Sequence, residues 1–160
     1  EKPYGPHGAD EMEFMICTNT GEEAKPLAKI ASGGELARIM LAIKNVLAEK
    51  DGIGTIIFDE VDTGVSGKTS QKIGLKMKLL SQQGCQVLCV THAAQIAALA
   101  DAHYLISKKE EDGRTTTQVQ LLDESGRIEE LSRILGGIHI TNSVRQTAKE
   151  MLHTIASTSK

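Results

Sequence analysis

The chain has 160 residues, a length typical of one domain that can bury a hydrophobic core. Hydrophobic residues make up 40% of it and charged residues 24%, which is ordinary for a soluble globular protein. A formal net charge of -3 and the lack of any lysine/arginine run argue against DNA contact by this segment alone. The three cysteines have no paired spacing, which favours reduced core thiols over a disulfide framework or a zinc site.

The sequence carries no signal for a membrane or for secretion. No apolar run approaches the roughly 18 residues of a membrane helix, and no secretory pattern is present. We therefore expect a cytoplasmic protein without membrane contact. The chain opens at Glu1 rather than at a methionine and continues into a proline- and glycine-rich stretch, which predicts that it is part of a longer protein.

The first elements in chain order are a predicted strand, a loop and a long helix. Residues 11 to 18 alternate loosely between apolar and polar, which predicts a half-buried strand, and residues 22 to 31 show no period and are expected to form a loop. Apolar residues at helical spacing then predict a helix over residues 34 to 49, ended by Asp51 and Gly52.

The start of this helix, Ser32-Gly33-Gly34-Glu35, has two interpretations. In a capping box, Ser32 accepts a hydrogen bond from the Glu35 amide and Glu35 reaches back to Ser32. Alternatively, the two glycines leave the amides of a helix N-terminus open to a phosphate. The capping box does not explain why both intervening residues are glycine, so both interpretations stay open.

An apolar run at residues 55 to 58 is followed by three carboxylates, Asp59, Glu60 and Asp62. The run predicts a strand buried on both faces, as in a parallel sheet with helices on either side. Acids at its carboxyl end lie where open α/β sheets bind ligands. Asp59 could hold Mg²⁺ beside a nucleotide, and Glu60 could polarise a water for attack on a γ-phosphate. A solvated acidic loop is the alternative.

The second half of the chain predicts further βα units, a hairpin and two final helices. Their ranges are a helix at 66 to 83, a strand at 86 to 90, a small-residue helix at 93 to 100, a strand at 103 to 107, a hairpin of 104 to 108 with 115 to 122, and helices at 127 to 135 and 141 to 155. Alternation of strands and helices is typical of parallel βαβ units. Neighbouring parallel strands end at one edge, so His92 should face the same crevice as Asp59 and Glu60.

Gly67-Lys68-Thr69 could be taken for the end of a phosphate-binding P-loop, G-x-x-x-x-G-K-[ST]. The first glycine of that pattern would have to be residue 62, which is Asp62. The neighbouring acids would also repel a phosphate. Gly-Lys-Ser/Thr occurs nowhere else in the sequence, so a phosphate-cradling loop is not expected within it.

Four stretches, residues 31–35, 55–60, 61–64 and 90–92, resemble in order and spacing the signature motif, Walker B strand, D-loop and switch histidine of an ABC-type ATPase. The signature departs from the common Leu-Ser-Gly-Gly-Gln in starting with Ala31 and in ending with Glu35. The glutamate variant is typical of the SMC and Rad50-like branch. Residues 29–42 and 58–67 are more specifically similar to the RecN family of bacterial DNA-repair ATPases.

This resemblance implies an α/β fold, with a mainly parallel sheet flanked by helices, in which residues 1–160 form the C-terminal segment of a split ATPase head. The N-terminal part of such a head carries the Walker A loop. The implied cofactors are ATP and Mg²⁺, and the fragment alone is expected to be inactive. The implied function is DNA double-strand break repair and recombination, in the cytoplasm at the nucleoid. Implied partners are the N-terminal head segment, a second head in a homodimer, and DNA through the full-length protein.

The family's residue roles carry over to matching positions. Asp59 would hold Mg²⁺, Glu60 would activate water and His92 would contact the γ-phosphate. The ATP held by a second head would be clasped by the signature residues Ser32, Gly33 and Gly34. Asp62 and Gly64 would lie at the seam between heads. A rival hypothesis is a non-catalytic interaction module in which the Ser32–Glu35 turn is only a helix cap.

Overall fold

The computed structural model describes residues 8, 10, 12–17, 20–29, 32–111 and 113–158; Ala31 and most of the opening segment lie outside these ranges. The elements run in the order β1 (Met15–Ile16), β2 (Lys25–Pro26), a 3-10 turn (Leu27–Lys29), α1 (Gly33–Asp51), β3 (Thr55–Phe58), α2 (Gly67–Gln82), β4 (Gln86–Cys89), α3 (Ala94–Ala97), β5 (Tyr104–Glu111), β6 (Arg114–Leu121), α4 (Glu124–Gly136) and α5 (Asn142–Thr158). Within these ranges, no helix combines the length and apolarity needed to cross a membrane.

The strands form three separate pairs in the part of the chain that the structure describes. β3 and β4 are parallel, with Thr55 opposite Gln86 and Phe58 opposite Cys89. β1 pairs with β2 and β5 with β6, both antiparallel. The α/β class and the hairpin are confirmed. The mainly parallel sheet is seen only as the pair β3–β4, because β5 turns back at Gly113, which has a φ of 73°, and pairs with β6. β2 was not predicted, since two residues carry no periodic signal.

Among the residues that the structure describes, only one face of the β3–β4 pair is covered. Ile56 and Phe58 pack with residues of α1 and α2 in the main core, and Phe58 is 4% exposed. Successive side chains of a strand point to opposite faces, so Ile57 points away from this core and is 67% exposed. Leu88 and Val90 are also exposed. The expectation that β3 is buried on both faces is therefore wrong for this chain, because α1 and α2 cover the same face of the strand pair.

Side-chain caps start the helices that flank the core. Ser32 Oγ accepts from the Glu35 amide at 3.4 Å at the start of α1, and Ser66 Oγ accepts from the Thr69 amide at 3.4 Å at the start of α2. α1 ends at Gly52, whose φ of 58° is in the left-handed region that glycine adopts easily. Thr141 Oγ1 accepts from Val144 N at 3.3 Å, as predicted for the last helix.

A second core joins the short α3 to α4 and α5. Its buried residues include Leu131 and Ala148, both 0% exposed. Arg127 of α4 donates from its guanidinium to backbone carbonyls at the end of α3, with the shortest bond, 2.7 Å, to Ala100 O. Carbonyls at the C-terminal end of a helix lack partners within it, so this contact caps α3 and ties it to α4.

Candidate functional site

The three acids lie on a turn that follows β3. Val61 is fully buried in the main core, and the amide of Thr63 donates to Glu60 O at 3.0 Å, which closes the turn. Glu60 has a φ of 57°, the left-handed conformation that residues other than glycine seldom adopt. Strain of this kind persists where the surrounding contacts impose it, and it is concentrated at functional sites. Asp59 and Glu60 are both exposed.

The start of α1 packs against this turn, and the contact accounts for the glycine at residue 34. A Cβ atom on Gly34 would lie 3.0 Å from Glu60 O and 3.3 Å from Thr63 Cβ, which is too tight without movement of the turn. A Cβ atom on Gly33 would lie 3.2 Å from Glu60 Oε2, the end of a flexible side chain. Close approach of backbone to backbone is a reason for glycine that neither interpretation of the Ser32–Glu35 stretch had included.

Arg38 of α1 also stabilises the turn that follows β3. Its Nη1 atom donates to Val61 O and to Thr63 O, both at 3.1 Å. Sequence reasoning missed this residue. Its spacing of four from Gly34 puts the two residues on one face of α1, and that spacing was the available signal.

Asp62 organises the loop after β4 from the other side of the turn. Its Oδ2 atom accepts hydrogen bonds from Thr91 Oγ1 at 2.6 Å, from His92 N at 3.1 Å and from Ala93 N at 3.1 Å. The same oxygen lies 3.5 Å from His92 Nδ1. Asp62 is 5% exposed, so its carboxylate is buried inside this chain and is satisfied there.

These contacts change the acidity of two groups. Burial alone would raise the pKa of Asp62, but the hydrogen bonds from Thr91 and from backbone amides, together with nearby His92, hold that pKa below its ordinary value of 3.8. Burial, followed by the charges of Asp62 and Asp59, raises the pKa of the Cys89 thiol to about 12. Asp62 is therefore ionised and Cys89 is a protonated thiol at neutral pH.

The carboxyl ends of β3 and β4 meet at one edge. Val90 N donates to Phe58 O at 3.0 Å, which carries the parallel pairing one step past β4. The residues that follow, Asp59 and Glu60 on one strand and His92 on the other, therefore emerge side by side. The His92 side chain is 83% exposed and anchored only at its base by Asp62. The structure thus brings Asp59, Glu60, Asp62 and His92 to the same edge as Gly33 and Gly34.

The donor set at this edge fits a magnesium ion that is bound mainly by a nucleotide. No group of three or more His, Cys, Asp or Glu side chains forms a protein-made metal cage among the residues described. Mg²⁺ beside a nucleotide usually takes one or two carboxylates and completes its shell with phosphate oxygens and water. Asp59, exposed directly after β3, satisfies that requirement.

Comparison with known proteins finds strong similarity to one group. The chain is 49% identical over 152 residues to the DNA repair protein RecN of Halalkalibacterium halodurans, covering 95% of this chain and 27% of that protein. It is 49% identical over 145 residues to RecN of Bacillus subtilis, covering 91% of this chain and 25% of that protein. The chain thus spans about a quarter of the length of these curated relatives. No family model matches it.

Solved structures also resemble part of the chain, and one of them serves as an example. It comes from work described as "Structural biochemistry of ATP-driven dimerization and DNA stimulated activation of SMC ATPases". The likeness has a TM-score of 0.48 at 23% identity and covers 72% of this chain and 68% of the other.

Proposed function

This chain belongs to the RecN family of DNA repair proteins, and we propose that it is the C-terminal segment of that family's ATPase head. In this proposal the full-length protein binds and hydrolyses ATP between two engaged heads during DNA double-strand break repair. The observation that carries the proposal is the meeting of Asp59, Glu60 and His92 at the carboxyl edge of the parallel pair β3–β4.

Each residue at this edge has a distinct proposed role. A bound Mg²⁺ would neutralise charge on the transferred phosphoryl group, and Asp59 would hold the ion. Glu60 would orient the attacking water. Because its backbone has the left-handed conformation, Glu60 leaves the direction of β3 and lies beside the start of α1. His92 would donate to the γ-phosphate from its exposed ring. Gly33 and Gly34 lie against Glu60, and with Ser32 they would clasp the ATP of the second head.

We also propose that the N-terminal head segment completes the site. The sequence has no Gly-Lys-Ser/Thr loop of its own that fits a P-loop. The apolar side chains Ile57, Leu88 and Val90 on the open face of β3–β4 are 67%, 45% and 54% exposed. Covering them would remove apolar surface from water, which is favourable by about 25 cal/mol per Å². A phosphate-binding segment packed there would lie beside the edge that carries Asp59.

The test is ATP turnover by the full-length protein with Glu60→Gln. We expect hydrolysis to fall by about 10²- to 10⁴-fold, the usual loss when a group that handles the proton of the attacking nucleophile is removed. Nucleotide binding should be retained, because Glu60 is assigned to the water and not to the nucleotide. Glu110→Gln, on exposed strand β5, is the matched control and should change nothing. Hydrolysis that survives Glu60→Gln would contradict the catalytic assignment.

A second experiment separates the ATPase from a non-catalytic interaction module. The hydrogen bond from the Glu35 amide to Ser32 is equally consistent with a plain helix cap. Ser32→Arg adds a large cation at the proposed seam, so it should abolish ATP-dependent association of heads. Ser32→Asn controls for loss of the helix cap, because asparagine keeps an oxygen that can accept from the Glu35 amide. Nucleotide-dependent association that is unchanged by Ser32→Arg would favour the interaction module.

A further inference from the structure

Asp62 joins two loops that are distant in sequence. One oxygen, Oδ2, accepts from Thr91 Oγ1 at 2.6 Å and from the amides of His92 and Ala93 at 3.1 Å each. Thr91 Oγ1 in turn accepts from Ala93 N at 3.0 Å, so the loop is also folded on itself. The Asp62 side chain is 2% exposed. Water therefore does not compete for these bonds, and hydrogen bonds to an ionised acceptor are stronger than those between neutral groups.

The ring of His92 also lies near Asp62. His92 Nδ1 lies 3.5 Å from Asp62 Oδ2 while the side chain is 83% exposed. This separation is longer than a normal hydrogen bond, so Asp62 holds the backbone of His92 and leaves its exposed ring open to a ligand.

The turn that carries Asp62 is itself held to α1. Arg38 donates to the carbonyls of Val61 and Thr63, on either side of Asp62, at 3.1 Å each. Gly34 of α1 lies against Glu60 in the same turn. A continuous set of contacts thus leads from the glycine start of α1, through the turn, to the backbone of His92.

We propose that Asp62 is a positioning residue for His92, and that it acts within one head. It fixes the position of the His92 backbone relative to Asp59 and Glu60. This inference rests on the proposed function, in which His92 meets the γ-phosphate, and it differs from the expected place of Asp62 at the seam between heads. A carboxylate that is buried and satisfied by Thr91, His92 and Ala93 has its role inside its own chain.

The first test does not depend on activity. Hydrogen exchange of the full-length protein should become at least ten-fold faster at the amides of His92 and Ala93 in Asp62→Ala. The Val90 amide, which donates to Phe58 O, is the internal control and should be unchanged. Asp62→Asn keeps the shape and a neutral acceptor, so it should give a smaller increase, which covers the case in which the alanine variant fails to fold. Unchanged exchange at His92 and Ala93 in a folded Asp62 variant would overturn the proposal.

The second test uses ATP turnover in a double-mutant cycle. Asp62→Ala should lower kcat about ten-fold or more with little change in KM, and it should have no further effect in a His92→Ala background. Thr91→Val, which removes one of the three donors, should act in the same direction and more weakly. Additive losses, or loss of head association in Asp62→Asn, would place Asp62 at the seam and overturn the inference. The proposed function has its own test, because it would be contradicted if ATP turnover survived Glu60→Gln.

Discussion

The two faces of the β3–β4 pair differ sharply although their sequences do not. Ile56 and Phe58 on one face pack against α1 and α2, whereas Ile57 and Leu88 on the other are 67% and 45% exposed. An apolar run in the sequence indicates that both faces of a strand are shielded from water. It does not indicate which segment covers each face. The packed face contributes to stability within the chain itself, whereas under the proposal above the open face would contribute only once another segment covers it.

The largest expected effect is the loss of the packed face. Phe58→Ala should lower the free energy of unfolding by about 3–5 kcal/mol, because it removes a large buried side chain and leaves a cavity. Ile57→Ala should lower the free energy of unfolding of the chain alone by less than about 1 kcal/mol. Ile56→Ala should lower it by more than Ile57→Ala does, although the two residues are identical and adjacent. Urea unfolding of the three variants measures these changes in the free energy of unfolding. Equal losses at Ile56 and Ile57 would remove the distinction between the faces.

The next effect concerns the start of α1, the helix that covers the packed face. Gly34→Ala should destabilise the chain by about 1–2 kcal/mol, since its Cβ would press on the backbone of Glu60. Gly33→Ala meets only the end of the Glu60 side chain and should be neutral or stabilise by up to about 1 kcal/mol, the usual gain for alanine over glycine in a helix. Thermal unfolding compares the pair. A Gly34→Ala variant as stable as Gly33→Ala would contradict the packing of α1 on the turn.

A smaller effect is expected in acid. The pKa of Asp62 is below its ordinary value of 3.8 in the folded chain, because its hydrogen bonds outweigh the burial that would raise it. Its contribution to stability is therefore complete above pH 3.8 and is lost as the pH falls through the lower folded value. Unfolding free energies measured from pH 5 downward should fall less steeply for Asp62→Asn than for the unaltered chain. Identical pH dependence in the two proteins would be inconsistent with these contacts.

The smallest effect is chemical and leaves the fold unchanged. With its pKa raised to about 12, Cys89 on the packed face is almost entirely the unreactive thiol at pH 8. Cys17 is exposed and should be alkylated by iodoacetamide at least about 100-fold faster than Cys89. Mass spectrometry of the labelled peptides gives both rates. Comparable rates would mean that the packed face opens readily.

Features encoded by neighbouring residues could be predicted from the sequence. The cap at Thr141 and the hairpin of β5 with β6 depend on short stretches, and both were expected. The cap at Ser32 was one of two interpretations of its stretch. The positions of Asp59, Glu60 and His92 at one edge followed from the geometry of parallel strands.

Features that depend on distant residues could not be predicted in this way. The hydrogen bonds that Asp62 accepts come from residues 29 to 31 positions further along the chain, and no periodicity of the sequence signals such a pairing. The strand at residues 103 to 107 was also placed among the parallel βαβ units, but in the described part of the chain β5 pairs only with β6, in an antiparallel hairpin. The prediction that both faces of β3 are buried was wrong because an apolar sequence does not identify the segment that would contact each face.

The measurement that bears most directly on the role of the Asp59–Glu60 edge is ATP hydrolysis by this chain alone and after addition of a RecN N-terminal segment that carries a Gly-Lys-Ser/Thr loop. We expect no hydrolysis by the chain alone, hydrolysis on mixing, and its loss when the chain carries Glu60→Gln. Hydrolysis by the chain without its complement, or hydrolysis in the mixture that is unaffected by Glu60→Gln, would contradict the assignment.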